Sequence, residues 1–130
     1  MDRRIINPWA WQEQFGFNHG HEVSGAQRTL YLAGQVSLDD EGQLVHEGDM
    51  AGQINKSIDN IEAVLTAAGM TLADIVRLNV YTTDVDALLA NAAVLGRFHE
   101  AGCRYTSTLL GVARLAFPGL LVELEATAVA

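Results

Sequence analysis

The chain has 130 residues, of which 49% are hydrophobic and 18% are charged, and its formal net charge is −8. This length and composition predict one compact domain over residues 1–130 and argue against an intrinsically disordered chain. Its eight basic residues include a single lysine, Lys56, so a nucleic-acid-binding surface is not expected. The low charged fraction favours a surface that another copy of the chain partly covers.

Cysteine content and hydropathy predict the cellular setting. One cysteine, Cys103, rules out an intrachain disulfide. The sequence has no apolar run of about 18 residues and no signal-peptide pattern, so we expect a cytoplasmic protein without a membrane partner. Cys103 has no neighbouring His–Asp pattern, and we expect it to be an unreactive free thiol.

The first half of the chain predicts an arm, two strands and a helix. An irregular arm rich in aromatic residues leads into a strand near Glu22. The β-branched and aromatic residues of Thr29–Val36 predict a second strand, and residues 37–49 predict a loop. A helix follows from an N-cap at Asp49 to a C-cap at Gly69. Its apolar stripe recurs at helical spacing and consists of Ile54, Ile58, Ile61 and Leu65.

The second half predicts a strand, a helix and two further strands. Ile75–Thr83 is a predicted strand, and Asp84 or Asp86 caps a second helix that ends before Gly102. The final strands, Thr106–Leu115 and Leu120–Val129, are predicted to form a hairpin. This order of elements predicts an α+β fold with two helices packed on one face of a mixed sheet.

The last predicted strand carries two carboxylates on one face. Side chains alternate along a strand, so Glu123 and Glu125 share the face without helices and lie about 7 Å apart. This face is either solvated or part of a cleft in which one glutamate serves as a general base. In the preceding strand, alternation places Ser107 and Thr108 on opposite faces. Arg114 is expected to form a salt bridge with a glutamate across the hairpin.

Two other patterns are candidate functional sites. His19 and His21 have a spacing that suits zinc, but a third ligand would have to come from a glutamate or His46. Surface or cleft-lining histidines are the favoured interpretation, and no metal is expected. Gly34 and Gly111 predict close approach of the backbone to a ligand or to a neighbouring subunit.

Four segments, in this order, resemble the RidA/YjgF family of reactive intermediate deaminases, also described as endoribonuclease L-PSP-like. They are LAGQVSLDDEGQLV, INKSIDNIEAVLTAAG, DIVRLNVYTTDVDAL and VARLAFPGLLVELEATAV. With the intervening sequence, the resemblance extends from about residue 22 to the end of the chain. It implies a chorismate-mutase-like fold and a homotrimer with a central barrel of sheets. It also implies small-molecule clefts between subunits, with no metal or organic cofactor.

The resemblance also implies a reaction and a set of site residues. Active members hydrolyse reactive imines and enamines, such as 2-aminoacrylate and 2-iminopropionate, to a keto acid and ammonia. The glutamate that positions the attacking water corresponds to Glu123. Ligand-binding positions correspond to Gly34, to Phe17 as an aromatic residue of the cleft, and to Asn91 early in the second helix.

The arginine that grips the substrate carboxylate is missing. With the segment VARL aligned, the Arg-Ser pair of active members falls on Ser107-Thr108, and these two remain candidate ligand-binding residues. Losing a bidentate charged contact costs about 2–5 kcal/mol, which puts the standard deaminase activity in doubt. Three functions therefore stay open: a hydrolase of another substrate that uses Glu123, a non-catalytic trimer that binds a metabolite or has a regulatory role, and, with less support, a ribonuclease.

Overall fold

The computed structural model describes all residues from Met1 to Ala130, and the chain forms six strands and three α-helices. The strands are β1 (Asp2–Ile6), β2 (Gly20–Ser24), β3 (Thr29–Tyr31), β4 (Ile75–Thr82), β5 (Thr106–Gly111) and β6 (Val122–Val129). The helices are α1 (Met50–Ala67), α2 (Val85–Ala90) and α3 (Gly96–Glu100). Short 3-10 turns lie at Trp11–Phe15, Leu72–Asp74 and Ala92–Leu95.

The strands form two sheets. The larger sheet has the order β3-β6-β4-β5, with β4 and β5 parallel and the other neighbours antiparallel. The smaller sheet is the antiparallel pair of β1 and β2. The predicted α+β class with a mixed sheet is therefore confirmed, whereas β1 was not predicted from the sequence.

Helix α1 begins and ends close to its predicted bounds. The Asp49 side chain accepts a hydrogen bond from the Gly52 N–H, as an N-cap does. Gly69 follows the helix at a φ of +71°, a conformation that glycine adopts without strain. The predicted apolar stripe is fully buried and packs on β6: Ile54, Ile58, Ile61 and Leu65. Each such side chain contributes about 1.5–3 kcal/mol of hydrophobic stabilisation, so α1 anchors the sheet.

The second predicted helix is not continuous. It begins after an Asp84 cap, as predicted, because that carboxylate accepts from the Ala87 N–H. The helix is interrupted at Asn91, whose side-chain amide donates to the Ala87 carbonyl at 2.8 Å. A 3-10 turn then leads into α3 at Gly96. Asparagine and glycine are both poor interior helix residues, which explains why the stretch divides into short pieces.

The predicted strand Thr29–Val36 keeps regular pairing only over β3. Leu32 and Gln35 still donate to β6, to Ala126 O at 3.0 Å and to Leu124 O at 2.7 Å. From Leu32 to Gln35 this segment advances by three residues, whereas β6 advances by only two between the two acceptors. The extra residue makes a bulge around Gly34. The bulge ends the regular strand early and brings Gly34 next to β6.

The predicted hairpin of the last two strands is wrong, because β4 lies between β5 and β6. The connection over residues 112–121 is longer than a hairpin loop and lets β6 insert beside β3 instead. Arg114 lies in this connection, beyond β5. Arg114 forms no ion pair within the chain, so the predicted salt bridge between Arg114 and a glutamate is wrong.

The alternation of side chains along β6 is as predicted. Val122, Leu124, Ala126 and Ala128 are buried on the side of α1. Glu123 and Glu125 project from the other side, which we call the open face because no helix packs on it. No helix of the chain combines the length and apolar character that crossing a membrane requires.

Candidate functional site

On the open face, Glu125 is a well-partnered carboxylate. One of its oxygens, Oε1, accepts hydrogen bonds from Asn79 Nδ2 at 2.9 Å and from the Tyr81 hydroxyl at 3.1 Å. Both donors lie on β4, whose register places Asn79 opposite Glu125 and Tyr81 opposite Glu123. The hydrogen bond to Glu125, with burial and the negative charge nearby, raises the pKa of Tyr81. Tyr81 therefore remains a neutral donor at physiological pH.

The neighbouring carboxylate, Glu123, is held differently. No side-chain hydrogen bond in the chain involves it, so both of its oxygens are free to accept from a water or a ligand. Partial burial, followed by the negative charge of Glu125, raises the pKa of Glu123 above its ordinary value. An unpartnered carboxylate with a raised pKa has the properties of a general base.

Gly34 lies directly against Glu123. A Cβ atom built at Gly34 would lie 2.6 Å from the carboxyl carbon of Glu123, closer than any real side chain allows. The two residues line an open cleft of about 530 Å³, together with Gln35, Asn60 and Phe117 among others. We call it the carboxylate cleft. The structure thus brings together two residues that the sequence assigned to one site.

A second cleft, of about 830 Å³, lies between the 3-10 turn at Trp11–Phe15, the stretch from α2 to α3, and β5. We call it the aromatic cleft. Phe17 and Ser107 both line it, so these two predicted ligand-binding residues also come together. Leu109 is on the same side of β5 as Ser107, in line with strand alternation.

Two residues of the aromatic cleft were not identified from the sequence. The Tyr105 hydroxyl lies 3.5 Å from His99 Nε2, and both side chains line the cleft. Tyr105 is buried, and burial raises its pKa to about 12, so its phenol keeps its proton. Strand alternation from Ser107 was the signal that could have identified Tyr105, because the two residues are two positions apart. No comparable pattern pointed to His99.

The two remaining predicted residues lie elsewhere. Thr108 is on the open face, where its hydroxyl accepts from Arg77 Nη2 at 2.6 Å. Asn91 lines neither cleft and instead bonds within its own helix end. Arg77 was also missed from the sequence; it adds a guanidinium to the open face beside Thr108.

His19, just before β2, and His21, within β2, do not line either cleft. His19 packs edge-on against Trp9, Trp11 and Phe17, with ring centroids 4.8–5.5 Å apart. A ring nitrogen of His21 lies 2.9 Å from the Arg104 carbonyl oxygen. Within a single chain, therefore, neither ring faces a cleft; His19 packs among aromatic side chains, and His21 contacts the backbone. No cluster of three metal-ligating side chains surrounds them.

Within one chain, Ser107 and Glu123 do not face a common cleft. Ser107 projects toward the helical side of β5, and Glu123 projects from the open face of β6, with β4 between the two strands. The candidate residues therefore form two half-sites, one in each cleft. One half-site supplies a carboxylate, and the other supplies an apolar cavity.

Comparison with known proteins places the chain in a family. The family model described as Endoribonuclease L-PSP matches residues 16–130. A Salmonella typhimurium protein named 2-iminobutanoate/2-iminopropanoate deaminase is 32% identical over 102 residues, which are 77% of this chain and 78% of the relative. The chain belongs to the Endoribonuclease L-PSP family, which corresponds to the RidA/YjgF family of the sequence analysis.

Solved structures support the same assignment. A Yersinia pestis protein of the Rid family, YyfB, described as of unknown function, matches with a TM-score of 0.89 and 40% identity over 100% of both chains. The E. coli protein TdcF, solved with bound serine, matches with a TM-score of 0.71 and 27% identity over 82% of this chain and 84% of TdcF. The predicted chorismate-mutase-like fold of the family is thereby confirmed.

Proposed function

We propose that the protein is a homotrimer that hydrolyses small imines or enamines in clefts between its subunits, with Glu123 as the catalytic residue. The observation that carries this proposal is the Glu123 carboxylate, which has no hydrogen-bond partner in the chain and lies against Gly34. Its raised pKa suits an acceptor of a proton from water. Similarity to a protein named as a 2-iminobutanoate/2-iminopropanoate deaminase supports the reaction class.

The chemistry requires a single proton acceptor. A water held by Glu123 attacks the imine carbon, forms the new C–O bond and gives a proton to the carboxylate. The C=N electron pair moves to nitrogen, which takes this proton from the carboxyl group and gives a neutral carbinolamine. Glu123 then accepts the proton of the carbinolamine hydroxyl and passes it to nitrogen, so the C–N bond breaks as the C=O bond forms. Ammonia leaves and the carbonyl forms, so one water is consumed for each imine and no redox partner is involved.

The trimer is proposed because one chain holds only half-sites. Ser107 and Phe17 line the aromatic cleft, and Gly34 and Glu123 line the carboxylate cleft. A complete site would form if the aromatic cleft of one subunit met the carboxylate cleft of the next. Light scattering of the purified protein tests this assembly, and a stable monomer in solution would overturn it.

The catalytic proposal is tested by hydrolysis of freshly generated imines, with ammonia release as the readout. The substrate panel includes 2-iminopropionate and imines that lack a carboxylate. We expect Glu123→Gln to lower the rate about 10²- to 10⁴-fold, the range typical of a general base. Glu41→Gln, in an exposed loop, is the matched control and should retain the rate. Equal rates for the Glu123→Gln variant and the unmodified protein would refute the assigned role.

A second candidate function is a non-catalytic trimer that binds a small metabolite or has a regulatory role. The argument in its favour is Ser107, which the resemblance places where active members of the family carry an arginine and which supplies no positive charge. Absence of hydrolysis over the whole panel, together with saturable binding of a small compound, would favour this function. A ribonuclease is not proposed, because the net charge of −8 opposes RNA binding.

A further inference from the structure

We infer that the aromatic cleft takes an uncharged ligand with a hydrophobic body and one carbonyl oxygen, and that His99 and Tyr105 hydrogen-bond that oxygen. This inference rests on the proposed function, since it names the substrate class of the same proposed site. It excludes 2-oxo and 2-imino acids as preferred ligands. The argument depends on the lining of the cleft, on its charge and on the geometry of the two polar residues.

The lining of the cleft is mostly apolar. Ten of its sixteen lining residues are hydrophobic, and Phe15, Phe17 and Leu109 are among them. A cleft of about 830 Å³ has the size of sites that take small organic ligands. An aromatic or branched aliphatic body gains free energy by burial there, at about 25 cal/mol for each Å² removed from water. The cleft therefore selects a hydrophobic body first.

The charge of the lining disfavours a carboxylate. No lysine or arginine lines the aromatic cleft, and its one acidic residue, Glu13, would repel an anion. A carboxylate that enters an apolar cavity without a cationic partner loses its hydration, and the cavity offers few interactions to compensate for that loss of free energy. Ser107, the residue at the position of the family arginine, can offer only a neutral hydroxyl. A ligand without a formal charge fits this lining better.

His99 and Tyr105 provide the polar end of the cleft. The 3.5 Å between Nε2 and the hydroxyl oxygen is long for a hydrogen bond, so neither group is committed to the other. Whichever tautomer the imidazole adopts, the pair can present an N–H or O–H donor to a ligand oxygen. Because the Tyr105 phenol remains protonated, it also cannot repel that oxygen as a phenolate would.

Both side chains are held before a ligand arrives. The Tyr105 ring packs edge-on against the buried Phe98, with centroids 5.8 Å apart, and its carbonyl accepts from the Asn18 N–H at 3.0 Å. The His99 ring lies against Gly16, where an added Cβ would come within 2.5 Å of Nε2. Side chains fixed in this way lose little conformational entropy when a ligand binds, which is typical of a recognition site.

The test uses two probes that differ only at one end of the molecule. They are 4-phenylbutan-2-one and 2-oxo-4-phenylbutanoate, which share the phenylethyl body and the ketone but carry a methyl group or a carboxylate beside it. Isothermal titration calorimetry on the full-length protein measures both affinities. We expect the uncharged ketone to bind at least about tenfold more tightly. Equal affinities, tighter binding of the acid or no binding of either probe would overturn the inference.

Variants test the two polar residues. Tyr105→Phe keeps the buried ring and removes the hydroxyl, and His99→Leu removes the imidazole at a more exposed position. Each should weaken ketone binding about 2- to 12-fold, the effect of one hydrogen bond. Glu100→Gln, an exposed neighbour outside the cleft, should leave it unchanged. Unchanged affinity in both the Tyr105 and His99 variants would show that these residues do not recognise the oxygen.

Failure of this inference is distinguishable from failure of the proposed function. Binding of the two probes is also measured in Glu123→Gln, which cannot use the carboxylate as a base. If the unmodified protein hydrolyses no imine but both proteins still bind the ketone more tightly than the acid, the inference is supported and the catalytic proposal is contradicted. Glu123-dependent hydrolysis combined with tighter binding of the acid contradicts the inference and leaves the catalytic proposal standing.

Discussion

The Glu123 carboxyl group occupies the space that any side chain at residue 34 would need. The carboxyl carbon would lie 2.6 Å from a Cβ at that position, and the neighbouring Cγ would lie 2.9 Å from it. The bulge between β3 and Gln35 brings the backbone of Gly34 close to β6 and therefore to the Glu123 side chain. Gly34 thus sets where the unpartnered carboxylate can lie.

Gly34→Ala is predicted to displace Glu123 at a moderate cost in stability. The added Cβ would clash with the carboxyl group and with Cγ of Glu123, so the whole side chain has to rotate away, and the free energy of unfolding should fall by about 1–3 kcal/mol. Moving a catalytic group by about 1 Å can cost about 10²-fold in rate, and a loss of that order is expected in imine hydrolysis. Denaturant unfolding and initial rates check the two effects.

A double variant is the control for this prediction. If Gly34→Ala acts through Glu123, adding it to Glu123→Gln should lower the rate no further. Additive losses in the double variant would mean that Gly34 acts on something other than the carboxylate.

Glu123→Gln is predicted to change the pH dependence of stability. Since the pKa of Glu123 is raised in the folded state, the folded protein binds its proton more tightly than the unfolded chain does. The resulting stabilisation is complete below the ordinary value of 4.5 and is lost as the pH rises through the folded-state pKa. The glutamine variant lacks this contribution.

Urea unfolding at a series of pH values measures the effect. The free energy of unfolding of the unmodified protein, minus that of Glu123→Gln, should fall as the pH rises above 4.5 and then level off. Glu41→Gln provides the comparison for an exposed glutamate. A difference that rises with pH would contradict the proposed effect of burial and of Glu125.

Ser107→Arg is predicted to raise turnover of 2-iminopropionate. The new guanidinium would project toward the aromatic cleft and supply the cation that the substrate carboxylate lacks. A charge-assisted contact of about 2 kcal/mol corresponds to roughly a 30-fold rise in kcat/KM. Steady-state ammonia release measures it.

Thr108→Arg is the matched control, because it adds the same side chain one position along β5. Thr108 projects from the open face, where it bonds to Arg77, so an arginine there does not enter the aromatic cleft. We expect Thr108→Arg to leave the turnover of 2-iminopropionate unchanged. Equal gains in the two variants would indicate a nonspecific effect of charge, and no gain in Ser107→Arg would refute the position assigned to the lost arginine.

Cys103 is predicted to be unreactive in the folded protein. Its thiol is buried, and burial raises its pKa to about 12, so almost no thiolate is present at pH 8. A disulfide-based thiol reagent should label no cysteine in native protein and one per chain in denaturant. Fast labelling at pH 8 without denaturant would contradict the burial of this side chain.

Periodicity and turn chemistry in the sequence determined much of the fold. The spacing of Ile54, Ile58, Ile61 and Leu65 fixed the buried face of α1, and Asp49 fixed its start. Alternation along β6 placed Glu123 and Glu125 on the open face. These features depend on helix and strand geometry over a few neighbouring residues, so a sequence reveals them directly.

Long-range pairing was decided only by the tertiary structure. The sequence put β5 beside β6 as a hairpin, whereas β6 pairs between β3 and β4. The register of β4 with its two neighbours places Ser107 and Glu123 on opposite sides of the sheet. The meeting of His99 with Tyr105, and of Gly34 with Glu123, also depends on packing between segments distant in sequence. Local side-chain patterns specify which face a residue occupies, but strand order depends on the free energy of the whole packed sheet.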